Sequence, residues 1–183
     1  PATSLFIWTP GASNTLNINS SVTGTGGITF DGAGTVTLNA RQLYTGATNV
    51  NNGVLRLGAD HRIFVSALGG VQALNVNSGV FDLNGYNQAV GTLASGNTGS
   101  FGTGGSVTNS AGGAPVTFTS SSAASTFSGS INGNLNFTRW GSAASTFLSN
   151  NSYTGSTVLR GGTLTLQQMG ALSATSSIAN YYG

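Results

Sequence analysis

The sequence predicts an all-β fold, a parallel β-helix (β-solenoid) of short strands, and three observations lead to this fold class. Gly, Ser, Thr and Asn, the residues that turns and corners prefer, make up a little over half of the 183 residues. Short apolar runs alternate with polar residues at the period of a strand. The chain also repeats itself at a fixed offset, which is typical of architectures built from stacked units.

Six runs are predicted to be strands, because each is short, rich in β-branched residues and bounded by Gly, Asn or Ser. In chain order they are 35–39, 53–57, 74–77, 80–84, 116–119 and 162–166. Only the stretch 66–71 lacks an evident strand pattern. No helix is predicted, because Lys and Glu are absent and Gly interrupts most of the chain. The same periodicity argues against disorder, which a polar composition alone would suggest.

The ionisable side chains are few, and they exclude several classes of function. The chain has five Arg, three Asp, one His and no Lys, Glu or Cys. The arginines form no cluster, so the sequence predicts no nucleic-acid partner. Without Cys there is no disulfide and no thiolate metal site. No apolar window of about 20 residues is present, so no helix is expected to span a membrane.

An internal repeat relates two parts of the chain at an offset of 109 residues. It superposes 44–57 on 153–166 without a gap, and seven of the 14 residue pairs are identical. The repeat-motif residues are Tyr44, Thr45, Gly46, Thr48, Gly53, Leu55 and Leu57 in the first copy and Tyr153, Thr154, Gly155, Thr157, Gly162, Leu164 and Leu166 in the second. The offset also extends backwards, where Gly32 falls on Gly141.

This repeat favours a solenoid over a small β-sandwich, which is the alternative that short strands at this spacing allow. A solenoid accepts any number of coils, because each coil contacts only its neighbours. Gly, Asn and Ser would form the corners, while Asn and Thr would stack on their equivalents in adjacent coils. We predict a single β-solenoid over 1–183, with a first long repeat at 15–123 and a truncated second repeat at 124–183. Coils of about 20 residues would place about five coils in each long repeat.

The repeated motifs also resemble a known family. The segments that carry the resemblance are 34–38, 44–48 and 53–57 and, as the closer copy, 150–157 and 161–166. They are similar to the autotransporter-associated β-strand repeat. The resemblance implies a right-handed β-helix that is exported to the cell surface or beyond, usually as a passenger or stalk. Two places depart from the repeat pattern, Arg41-Gln42-Leu43 in the first copy and Trp140 before the second.

Few residues could support catalysis or metal binding. β-Helix enzymes that act on polysaccharides need paired carboxylates, or carboxylate-bound calcium, beside a basic residue. Asp60 and Asp82 lie 22 residues apart, close to one coil, and could stack with Arg62 beside them. Local loop and turn roles are the alternative for both carboxylates. His61 has no second His or Cys to complete a metal site. We therefore expect no enzyme, no cofactor and no metal.

Aromatic side chains are the candidates for binding carbohydrate, because their faces can stack on sugar rings while a polar edge stays in water. The candidate sugar-stacking residues are Trp8, Tyr86, Trp140, Tyr181 and Tyr182. Tyr44 and Tyr153 recur in the repeat and are expected instead to fill corners. Cell-surface glycans are therefore a predicted class of partner.

Neither end of the sequence shows the polar or helical cap that closes a solenoid, so partners are expected at both ends. The candidate assembly residues are Phe6, Ile7 and Trp8 at one end and Ile178, Tyr181 and Tyr182 at the other. They predict either continuation into further repeats or end-to-end stacking of copies into a fibre.

These observations favour a non-enzymatic extracellular structural protein on a bacterial cell surface. It would be a stiff β-solenoid that acts as a surface stalk or as a fibre subunit. The alternatives are an adhesin or glycan-binding passenger that uses the exposed aromatics and, third, a polysaccharide-active β-helix enzyme centred on Asp60 and Asp82.

Overall fold

The computed structural model describes residues 4–64, 72–96, 100–121, 123–175 and 177–181. Among these residues the regular structure consists of 23 short strands and contains no helix. The stretch that lacks a strand pattern and Tyr182 both lie outside the described residues.

The strands are two to five residues long and follow one another through short corners. In chain order they are β1 (Leu5–Trp8), β2 (Thr15–Ile18), β3 (Thr23–Gly24), β4 (Ile28–Asp31), β5 (Thr35–Leu38), β6 (Leu43–Tyr44), β7 (Thr48–Val50), β8 (Val54–Leu57), β9 (Leu74–Val76), β10 (Val80–Asp82), β11 (Gln88–Val90), β12 (Leu93–Ala94), β13 (Ser106–Asn109), β14 (Val116–Ser120), β15 (Ser125–Phe127), β16 (Ser130–Gly133), β17 (Leu135–Arg139), β18 (Ala144–Phe147), β19 (Asn150–Asn151), β20 (Thr157–Leu159), β21 (Thr163–Leu166), β22 (Ala171–Leu172) and β23 (Ile178–Asn180).

The strands stack into three faces of a parallel β-solenoid with about eight coils. Face A contains β1, β4, β7, β9, β12, β15, β18 and β21; face B contains β2, β5, β8, β10, β13, β16, β19 and β22; face C contains β3, β6, β11, β14, β17, β20 and β23. Among the described residues of the third coil no strand lies on face C, where the Gln42 N–H donates to the Arg62 carbonyl oxygen at 2.8 Å. Every strand pair is parallel. The predicted all-β solenoid is therefore confirmed.

Alternation along each strand decides which side chains enter the core. In β4, β5 and β8 every second residue is buried, and each of these is Val, Leu, Ile or Phe. Aromatic rings from different coils meet inside, where Phe118 lies 6.2 Å from Phe81 and 6.3 Å from Phe137 between ring centroids. One apolar core thus passes through successive coils, which is how a solenoid buries surface that a single coil would leave exposed.

Outward-facing Asn side chains form hydrogen-bonded ladders between coils. The Asn75 amide donates to the Asn49 side-chain oxygen at 2.8 Å, and Asn77 donates to Asn51 at the same distance. The predicted stacking of Asn on its equivalents in adjacent coils is therefore correct. These bonds satisfy polar groups between neighbouring coils without any charged residue.

The two sequence copies do not lie on the same face of the solenoid. Val54–Leu57 form β8 on face B, whereas the equivalent residues Thr163–Leu166 form β21 on face A. The offset therefore spans four complete coils and two further faces. A coil has three faces, and the strand spacing of the repeat is not a multiple of three. The second copy is consequently rotated by one face about the solenoid axis.

Equivalent glycines keep the same backbone conformation despite this rotation. Gly32 and Gly141 have φ angles of 89° and 92°, and Gly53 and Gly162 have φ angles of 60° and 66°. A positive φ is strained for residues that carry a Cβ atom, so these corners require glycine. The repeat therefore encodes the geometry of a corner, and the same corner geometry occurs between different pairs of faces.

Candidate functional site

The repeated tyrosines lie at buried corners and tie the corner to the next strand. The Tyr44 hydroxyl lies 2.5 Å from the Thr48 hydroxyl, and the Tyr153 hydroxyl lies 2.5 Å from that of Thr157. All four side chains are buried. The motif Tyr-Thr-Gly-x-Thr is thus a clamp in which the phenol spans the corner and satisfies a buried hydroxyl.

The glycine inside each clamp makes room for the adjacent coil. A Cβ atom on Gly46 would lie 2.5 Å from the carbonyl carbon of Gly26, and one on Gly155 would lie 2.7 Å from that of Leu135. Real Cβ atoms do not approach backbone atoms so closely. The motif glycines are therefore required for space, and the clamp is a structural device.

Buried amide side chains form a second device that the sequence reasoning missed. The Gln42 side-chain oxygen accepts from the Val22 N–H at 3.0 Å, and the Asn151 oxygen accepts from the Ile131 N–H at 2.9 Å. Each amide nitrogen also donates to the carbonyl oxygen two residues earlier. Gln42 and Asn151 are equivalent at the repeat offset. Their shared side-chain amide is the signal available in the sequence, and it is obscured because Gln42 departs from the residue type of the motif.

Asp82 is a buried carboxylate held by several donors. Its oxygens accept from Arg56 Nε at 2.9 Å, from the Ser110 hydroxyl at 2.7 Å and from the Asn84 N–H at 3.0 Å. The Asp82 side chain is only 2% exposed, whereas Arg56 is 39% exposed. The Ser110 N–H also donates to Asp82 at 3.1 Å, so this carboxylate joins three coils and each of its oxygens already accepts two hydrogen bonds.

Asp60 does not stack on Asp82, so the pair that a polysaccharide-active enzyme would need is not formed. Strand register places Arg56 beside Asp82. Asp60 instead accepts from the Asn87 N–H at 2.6 Å, and Arg62 donates to the Asp60 carbonyl oxygen. Asp60 thus lies in a loop, as the alternative predicts, and its carboxylate bonds to the next coil.

The other ionisable groups offer no metal site in the part of the chain that the structure describes. No group of three His, Cys, Asp or Glu side chains comes together there. His61 has a positive φ of 51° and lies in the loop beside Asp60. The carboxylate of Asp31 accepts from the Asn52 side chain and from the Gly32 N–H, and these hydrogen bonds hold its pKa below the usual range.

Arg139 is a buried cation at the corner between faces C and A. Its guanidinium donates to the carbonyl oxygens of Ser120, Trp140 and Ala143, at 3.1 Å for Ser120 and 2.7 Å for Ala143. The side chain is fully buried. Burial lowers the pKa of Arg139 from its ordinary value, because desolvation disfavours the charged form. Arg139 therefore ties coil corners together through backbone oxygens.

The buried clamp tyrosines predict a loss of stability at alkaline pH. Burial raises the pKa of Tyr44 from 10.0 to about 12, and it also raises the pKa of Tyr153. Because the folded pKa lies above the unfolded one, this contribution to stability is complete below pH 10 and is lost between about pH 10 and 12. For Tyr44 the loss is about 3 kcal/mol. Denaturant unfolding measured from pH 8 to 12 should show it.

Tyr44→Phe is the variant that checks this origin. It should cost about 1 kcal/mol at pH 8, because one buried hydrogen bond is lost. Its free energy of unfolding should then fall less steeply than that of the wild type above pH 10. Tyr181→Phe, at an exposed position, is the control and should follow the wild-type profile. An unchanged alkaline slope in Tyr44→Phe would contradict the clamp as the cause.

The structure separates the candidate assembly residues by the direction of their side chains. Register with β4 places Leu5 and Ile7 toward the core and Phe6 and Trp8 outward. The outward rings of Phe6 and Trp8 stack at 6.5 Å with an interplanar angle of 15°, on the lateral surface of face A. On the last described coil, Ile178 lies in register with buried Thr157 and is 61% exposed.

The candidate sugar-stacking aromatics do not form one face. Trp8 lies on the first coil at face A, and Tyr86 is partly buried against the core in the fourth coil. Trp140 and Tyr181 lie at the same corner of face C, two coils apart. Tyr182 is outside the described residues. Among the candidates that the structure describes, only Trp140 and Tyr181 are therefore brought together.

Comparison with protein families identifies the repeated unit. Residues 28–57 and 137–166 match the passenger-associated-transport-repeat family. Each match covers five consecutive strands, β4 to β8 and β17 to β21, and the two matches are separated by the offset found in the sequence. The chain is an autotransporter-associated repeat β-solenoid. The resemblance seen in the sequence is thereby confirmed.

A curated relative extends this result. The repeat solenoid is 32% identical over 156 residues to the adhesin BmaC autotransporter of Brucella suis biovar 1 (strain 1330). The match includes 85% of this chain but only 4% of the length of that protein. No solved structure matches the chain. The described residues include no helix long and apolar enough to cross a membrane.

Proposed function

We propose that the chain is a rigid, non-enzymatic segment of a passenger on a bacterial cell surface, within an adhesin. The observation that carries this proposal is the repeat itself, which matches a passenger-associated family and an autotransporter adhesin. The passenger identity supports an extracellular or cell-surface location. The segment would act as a stalk that carries or spaces binding surfaces.

The use of the ionisable groups supports a structural role. Four ionisable side chains or their loops form hydrogen bonds with the backbone or with side chains of the surrounding loops and coils: Asp82, Asp60, Arg62 and Arg139. Their hydrogen bonds hold neighbouring coils and loops together. The clamps, the amide ladders and the continuous core add to the same stiffness.

Surface labelling tests the location. Antibodies raised against the purified solenoid should label intact bacteria that produce the full-length protein, without permeabilisation. Labelling that requires lysis would contradict the proposal. Antibodies against a cytosolic protein of the same cells are the control for leakage.

We further propose that the solenoid continues into similar coils rather than stacking end to end as separate copies. The relative is many times longer than the matched segment, which supports a long array. Inward-facing Leu5 and Ile178 are 44% and 61% exposed and would be covered by such coils. Electron microscopy of the purified chain at high concentration tests this arrangement, because discrete monomers are expected and fibres would contradict it.

A further inference from the structure

Three side chains on successive coils form an exposed row, which we call the Trp-Arg-Tyr ladder: Trp140, Arg160 and Tyr181. Each directly follows a residue of a face C strand, and those preceding residues are register partners. The N–H groups continue the sheet pattern, with Trp140 donating to Ser120, Arg160 to Arg139 and Tyr181 to Leu159 at 2.8 to 3.0 Å. Coils stack at about 4.8 Å, so the backbone positions of Trp140 and Tyr181 lie about 10 Å apart.

The ladder presents its chemistry to solvent. Trp140 is 61% exposed although coils lie on both sides of it, and Tyr181 is 66% exposed. The Arg160 guanidinium lies over the Tyr181 ring, 5.2 Å from its centroid. A guanidinium that lies over an aromatic ring keeps the N–H donors at its edge available.

The charged side chains that follow Asp82 in the sequence are all arginines. All three carboxylates of the sequence occur at or before Asp82, and the only charged residues after it are Arg139 and Arg160. Arg139 is fully buried against carbonyl oxygens, whereas Arg160 is exposed. Arg160 is therefore the exposed formal charge on the described coils that follow Asp82. Its surroundings favour an anionic ligand.

The surface beside the ladder carries only short side chains. The outward residues two positions earlier are Thr138, Val158 and Ala179, which have short side chains. Ser121 occupies the equivalent ladder position one coil before Trp140, so the indole face is open on that side. The rings thus project beside a strip that could accommodate an elongated ligand.

We propose that the Trp-Arg-Tyr ladder binds an acidic oligosaccharide, one that carries carboxylate or sulfate groups. The indole and phenol faces would stack on sugar rings, and the Arg160 guanidinium would pair with the acidic group between them. An acidic polypeptide fits less well. β17 is already paired on both sides, so an extended peptide cannot add to the sheet here. The proposal deepens the passenger function and rests on it.

A glycan array tests the proposal with the full chain. The array should carry oligosaccharides in matched carboxylated, sulfated and neutral forms, together with poly-glutamate. We expect binding to one or more acidic oligosaccharides and not to their neutral counterparts. Arg160→Gln and Trp140→Ala should each weaken that binding about tenfold or more, because charge-assisted bonds and stacking are lost.

The chain supplies matched controls for both substitutions. Arg41 also lies over an aromatic ring, 5.6 Å from the centroid of Phe64, and Trp8 is the other exposed tryptophan. Arg41→Gln and Trp8→Ala should leave binding unchanged. All four variants should unfold at the wild-type temperature, which separates lost binding from lost folding.

Several results would overturn the proposal. These are no binding to any acidic glycan, equal binding to neutral forms, binding insensitive to Arg160→Gln, or preference for poly-glutamate. Surface labelling of intact cells does not depend on this ladder. A failed array with positive labelling would therefore reject the ligand and leave the passenger function standing, while negative labelling would reject the passenger function itself.

Discussion

Gly155→Ala is expected to destabilise the solenoid by about 3 kcal/mol or more. The added methyl would lie 2.7 Å from the carbonyl carbon of Leu135 in the preceding coil and closer still to its oxygen. That oxygen accepts the Gly155 N–H at 3.1 Å, so relief of the clash would break a bond between coils. Thermal and denaturant unfolding, followed by far-ultraviolet circular dichroism, measures the loss.

Gly112→Ala is the matched control. A Cβ atom at Gly112 has no heavy atom within 4 Å, and its backbone is not left-handed. Its free energy of unfolding should stay within about 0.5 kcal/mol of the wild type. Equal stability of the two variants would show that the coils are not held at the spacing described. It would contradict the conclusion that the clamp glycine is required for space.

Arg139→Met is expected to cost about 3 kcal/mol, although methionine approximates the length of the aliphatic stem. A buried ion pair can often be replaced by apolar residues, because both charged partners are removed together. Here the partners are the backbone carbonyl oxygens of Ser120, Trp140 and Ala143, which remain after the substitution. They would lose their guanidinium donors, and the contact with the Ser120 oxygen is buried. Chemical denaturation measures the change.

Arg160→Met provides the comparison for this second prediction, because Arg160 is an exposed arginine one coil away. It should change the free energy of unfolding by less than about 0.5 kcal/mol. An Arg139→Met variant as stable as the wild type would mean that the corner carbonyls find other donors. It would contradict the role of Arg139 in holding the coil corners together.

Fold class and repeat were predictable from the sequence because they depend on local patterns. Alternation of apolar and polar residues identifies a strand and its inward side, and recurring glycines mark corners with positive φ. Gly53 and Gly162 illustrate this, since their equivalence in the sequence is matched by nearly equal φ angles. Such features depend on a few neighbouring residues and do not depend on how the coils are arranged.

The arrangement of the coils was not predictable in the same way. Which face a strand occupies depends on the total number of strands before it, and coil lengths vary, with partners 20 residues apart at Asn49 and Thr29 but 26 apart at Asn75 and Asn49. The 22-residue spacing of Asp60 and Asp82 therefore could not decide whether they stack. The observed register places Arg56 beside Asp82 instead.

The direction of single side chains also needed the register. Phe6, Ile7 and Trp8 look alike as an apolar end, yet alternation sends Phe6 and Trp8 to the lateral surface. In the same way Arg139 and Arg160 are both isolated arginines in the sequence. Arg139 is in register with Leu159, and Arg160 lies one residue further along. This difference of one residue places Arg139 inside and leaves Arg160 outside.

The central claim is that the chain folds as a parallel solenoid whose adjacent coils pair in the observed register, and engineered disulfides test it most directly, since the chain has no cysteine. Thr146 and Thr165 are register partners on adjacent coils. Thr37 and Thr146 are sequence equivalents that lie on faces B and A, several coils apart. Mass spectrometry after mild oxidation should find the bond in Thr146→Cys with Thr165→Cys and none in Thr37→Cys with Thr146→Cys. A bond in the second variant, or none in the first, would contradict this parallel solenoid and its register.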